Sequence, residues 1–154
     1  MNKSKDEGNS ASQKPESVSI EVSDIHELRA LLEAVCTAKA FGSKWKPELL
    51  GSQPLARISH ALVDALNELA MRTGTEDLYA ISDERRRLDT KDKFRGGPEI
   101  WDAAVERLRS RPDAWARWDA DEKADCVKLI FSPMLISPAL IGSFIHDVDE
   151  GPSA

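Results

Sequence analysis

The chain has 154 residues, 41% of them hydrophobic and 31% charged, enough for one domain with a core of its own. Its 21 Lys and Arg against 27 Asp and Glu leave a net charge of −6, which argues against a protein that coats nucleic acid or an anionic membrane over its whole surface. The two cysteines, Cys36 and Cys126, form no CxxC pair and are expected to be small buried hydrophobes in a reducing, cytoplasmic setting, a disulfide between them being the alternative.

Residues 1–17 are rich in Lys, Ser and Asn with no apolar run. They are expected to be a disordered tail, neither a secretory signal nor an anchor. Val18 to Val22 alternate and are β-branched, which predicts a short strand. Asp24 followed by Glu27 matches a capping box. Ile25, Leu28, Leu31, Leu32, Val35 and Cys36 then recur three and four apart, one stripe of an amphipathic helix. Gly42 is expected to end it as a left-handed cap. Residues 43 to 54 form a loop, pinned by Trp45, Leu49 and Leu50. Pro54 suits the first turn of a helix, whose predicted stripe is Leu55, Ile58, Leu62, Ala65, Leu66 and Leu69. Thr73-Gly74 stops it.

Thr75 is expected to cap a third helix bearing Leu78, Ile81 and Leu88. Gly96-Gly97-Pro98 breaks the chain before a helix with Trp101, Ala104, Val105 and Leu108 on one face. Arg111-Pro112 ends it. Asp113 is expected to cap a short turn with Trp115 and Trp118. Asp119 and Glu122 form a second capping box, opening a helix with Ala124, Val127, Ile130 and Phe131. Ser137-Pro138 opens a last apolar helix ending near Ile145. The domain thus runs from 18 to 146, with 147–154 as an acidic flexible tail. The fold class is all-α, a single compact domain of five to seven short amphipathic helices. Between Val127 and Ile145 only Lys128 is charged, but prolines, serines and a glycine interrupt the run, which predicts a buried helical hairpin rather than a membrane span.

Histidines 26, 60 and 146 lack the four-residue partner of a helical metal pair. The acidic group Asp119, Asp121, Glu122 and Asp125 is explained by capping and the helix dipole. GxSxG, GxGxxG and the P-loop pattern are absent from the sequence. No catalytic residue, metal ligand or cofactor is therefore assigned. Charge is segregated instead: residues 85–111 carry nine basic against five acidic side chains, net +4, while the flanking stretches are each net −5. The candidate partner-binding residues are Arg85, Arg86, Arg87, Lys91, Lys93 and Arg95, with Trp115 and Trp118 as aromatic anchors of the kind interfaces favour. Asp83, Glu84, Asp89 and Asp92 are interleaved as ion-pair partners. The expected function is a non-enzymatic accessory or regulatory protein, of the immunity, antitoxin or inhibitor kind, that occupies the surface of another protein. The alternatives are a nucleic-acid-associated regulator using 85–95 and a small helical enzyme with a site assembled from distant residues.

Overall fold

The structure is a computed structural model that describes residues 19–42, 46–93 and 97–151. It is all-α. Five helices of twelve residues or more carry the fold: α1 (Ile25–Phe41), α2 (Gln53–Thr73), α5 (Gly97–Arg109), α7 (Ala120–Phe131) and α8 (Pro138–Glu150). Short pieces join them: a 3-10 turn at Pro47–Leu49, α3 (Glu76–Tyr79), α4 (Asp83–Arg86) and α6 (Pro112–Ala116). A two-residue parallel pairing sets β1 (Arg87–Leu88) against β2 (Leu135–Ile136). The residues from 19 to 24 form no strand. The tail 1–17, Val18, Trp45 and Arg95 lie outside the described residues.

Local chemistry sets the helix starts. Asp24 accepts from the backbone N–H groups of His26 and Glu27, satisfying donors that the first turn leaves free. Asp119 and Glu122 bond reciprocally as a full capping box. Ser52 and Ser137 cap α2 and α8, each with a proline in the first turn. Thr75 and Asp113 make no such bond: α3 has no side-chain cap, and the residue before α6 is Arg111. Gly74 ends α2 at φ 65°, where only glycine is unstrained. Gly42 does not. It stays right-handed at φ −66°, and its lack of a Cβ instead admits Leu49, whose Cδ1 lies 3.1 Å from where that atom would sit.

Two apolar clusters result. α1 and α2 pack together through Leu28, Leu32, Val63 and Leu66. The larger cluster joins α5, α7 and α8 around Ile130 and the aromatic residues Trp101, Phe131 and Phe144, whose rings meet at centroid distances of 4.9 to 5.8 Å. Fully burying each such side chain contributes about 1.5–3 kcal/mol. On α2 the buried line is Ala56, Ser59, Val63, Leu66 and Ala70, and Ile58 is 47% exposed. The expected stripe is therefore rotated. Val63 and Leu66 pack against Leu28 and Leu32 of α1, with Leu62, Ala65 and Leu69 partly buried beside them.

The C-terminal helix also departs from expectation. It continues through His146 to Glu150, so the acidic tail placed at 147 is helical for its first four residues. Val148 is buried. Asp147 accepts the Trp101 indole N–H at 2.9 Å, and Asp149 that of Trp115 at 2.6 Å. Carboxylates that look like a solvated tail thus satisfy two indole donors. Among the described residues no helix is long and apolar enough to cross a membrane.

Candidate partner-binding groove

Two basic side chains tie the α1–α2 pair to the rest. Lys39, on the last turn of α1, is 3% exposed. Its ammonium donates to the carbonyls of Leu129 (2.8 Å) and Ser132 (2.6 Å) and to Ser132 Oγ. These oxygens lie at the end of α7, where carbonyls lack helical partners and the dipole favours a cation. Burial pushes the Lys39 pKa down to about 8, against a smaller opposing effect of Cys36. A lysine beside a serine is also the pairing that activates some acyl-transfer nucleophiles. Here, however, Ser132 Oγ donates to the Leu129 carbonyl at 2.9 Å, and both groups are spent on capping α7.

Arg86 is the second tie. Its Nε donates to the Pro133 carbonyl at 3.0 Å, and its Nη2 to His60 Nδ1 at 2.7 Å. Because arginine only donates, His60 Nδ1 must accept, which leaves the ring proton on Nε2. Burial, followed by the charges of Arg86 and Lys39, holds the His60 pKa below the ordinary histidine value, with Asp64 opposing.

Beside Lys39 an open cleft of about 530 Å³ lies against α1, α5 and the end of α7. Cys36, Ala40, Ile100, Ile130, Phe131 and Met134 give it apolar walls, Phe41 forms an exposed lip, and Thr37 and Glu33 line it as well. Its size falls within the range of small-ligand sites and of pockets that take anchoring side chains. A smaller pocket of about 280 Å³ lies where α1 meets α3 and α4. Leu32, Leu66 and Ile81 line it together with Arg29, Tyr79 and Arg85. Asn67 holds its far wall, exchanging two hydrogen bonds with the backbone of Ile81 at 2.6 and 3.0 Å. Arg29 Cζ lies 5.5 Å from the Tyr79 ring centroid, within cation–π range.

Glu33 lines both pockets. Arg29, Glu33, Cys36 and Ala40 follow one another at steps of three and four, so they share one face of α1. The two pockets thus lie in succession beside that face, which runs roughly 18 Å from Arg29 to Phe41 at ~1.5 Å per residue.

The residues expected to meet a partner are dispersed. Arg86 is 8% exposed and turned inward, and Trp115 is buried with its indole on Asp149; neither is offered to a partner. Lys123 lies over the Trp115 ring at 4.8 Å. Burial pushes the Asp149 carboxyl up, but hydrogen bonds from Trp115 and Lys123, with the charges of Lys123 and His146, outweigh it and leave the pKa below the usual value. Lys93 pairs with Asp89 at 3.7 Å, and Lys91 lies over Trp101 at 5.5 Å. Arg85, Arg87 and Trp118 remain exposed. Among the described residues of the basic set, Arg85 alone lines either pocket. Arg29 escaped the sequence reading because 56 positions separate it from Arg85, and nothing local signals their meeting.

Comparison with protein-family models, curated protein sequences and solved structures finds no match. Function therefore rests on the geometry. Among the described residues no group of three His, Cys, Asp or Glu side chains is placed to hold a metal. Cys36 and Cys126 are free and half-buried, and burial pushes both thiol pKa values up, Cys126 to about 11.

Proposed function

We propose that the protein is a non-enzymatic accessory or regulatory protein that binds a segment of another protein in the groove along α1. The observation that carries this reading is the open apolar cleft with Phe41, 52% exposed, on its lip. An extended groove beside a helix suits a partner side chain inserted as an anchor, with the flanking chain lying along the rim. The basic segment supports this choice over nucleic acid. Arg86 is committed to the interior, Lys93 to Asp89, and carboxylates flank the remainder. Two free thiols favour a reducing, cytoplasmic setting.

A photoreactive benzophenone amino acid in place of Phe41, introduced into the full chain in its native cells, tests the reading. We expect one discrete protein adduct, absent when the same group replaces exposed Leu135. Thr37→Arg, which sets a long charged side chain at the cleft wall, should abolish the adduct while leaving the melting temperature within a degree or so. No adduct at position 41, or a nuclease-sensitive one, would overturn the proposal.

A further inference from the structure

We infer that the Arg29–Arg85 end of the groove is a carboxylate site, so that the bound segment is an acidic peptide with an apolar residue beside its acidic one. This rests on the groove reading and names the chemistry of its partner. Arg29 comes from α1 and Arg85 from α4, and both residues line the same small pocket. Neither has a carboxylate within 4.0 Å among the described residues. Arg85 Nη1 makes one long bond to the Ala80 carbonyl at 3.3 Å, and Arg29 rests against Tyr79. Two planar forks held by neutral contacts retain donors for an incoming acid, and guanidinium geometry suits the two oxygens of a carboxylate. The neighbouring walls at Leu32, Leu66 and Ile81 are apolar, which favours a hydrocarbon side chain next to the acid.

Charge sets the direction in which the segment lies. Glu33 stands at the junction of the two pockets, so a second acidic group there is repelled. Toward Phe41, Lys39 lines the cleft, but its ammonium is engaged by the carbonyls of Leu129 and Ser132. The partner's acid therefore belongs at Arg29 and Arg85, and its apolar anchor at the Phe41 end.

The test uses the full chain labelled with nitrogen-15 and a blocked dipeptide of leucine and glutamate. Its counterpart with glutamine serves as control. The acidic peptide should shift the Nε–H resonances of Arg29 and Arg85 saturably. Arg29→Gln and Arg85→Gln, both at exposed positions, should each weaken binding about ten-fold. No shift at either guanidinium, equal binding of the amide peptide, or tighter binding of a single-stranded oligonucleotide to the same two residues would overturn the inference. A crosslink at Phe41 that survives such a result would leave the groove reading standing and remove only the acidic partner.

Discussion

Arg86 and its neighbours in sequence show how burial divides equivalent residues. Arg85, Arg86 and Arg87 are chemically alike, yet the middle one is drawn inside by two acceptors, the Pro133 carbonyl and His60 Nδ1, while exposed Asp83 lies 3.6 Å from its Nη1. No pattern in the triplet marks it, because its partners lie 26 and 47 positions away. A pH dependence follows from the pair. His60 is held below its ordinary value by burial and by the cations Arg86 and Lys39. The unfolded chain then binds the proton more readily, so this contribution to stability is complete above pH ~6.5 and is lost as pH falls toward the lowered folded value. An NMR titration of the imidazole protons should place the His60 midpoint below ~6.5. A midpoint at or above that value would mean that the ring accepts nothing from Arg86.

At the scale of elements, the helix starts were the most legible part. Asp24, Asp119 with Glu122, and Ser137 act within one turn, so spacing alone identifies them, whereas Ser52, read as part of a loop, caps α2. Helix phase was less legible. A stripe read from large residues places Ile58 inside, whereas the buried line runs through Ala56, Ser59, Val63, Leu66 and Ala70. Paired truncations separate the two arrangements. Leu66→Ala should cost ~2–5 kcal/mol, as a buried leucine does, and Ile58→Ala should stay within ~0.5 kcal/mol or so. Urea unfolding measures both, and a larger loss at Ile58 than at Leu66 would show that the helix is turned the other way. The end of α8 was illegible for a different reason. Asp147 and Asp149 resemble a solvated tail until the indoles of Trp101 and Trp115, more than 30 positions earlier, are brought against them.

For the whole molecule, the all-α class was legible from periodicity, and the groove was not. Its walls come from α1, α5 and the α7–β2 turn, and its charged end from α1 and α4, elements whose meeting no single stretch records. Lys39 illustrates the point. It sits on a helix otherwise read by its leucines, and its partners are 90 and 93 residues distant. The charge map led to the basic segment, and of that segment the groove uses only Arg85. The most direct measurement is amide hydrogen exchange of the full chain, free and bound to the protein recovered through the Phe41 crosslink. We expect slowed exchange along α1 from Arg29 to Phe41 and in the turn from Ser132 to Met134. Protection confined to the segment from Arg87 to Lys93, or to the outer face of α8, with α1 unchanged, would contradict the groove as the binding site.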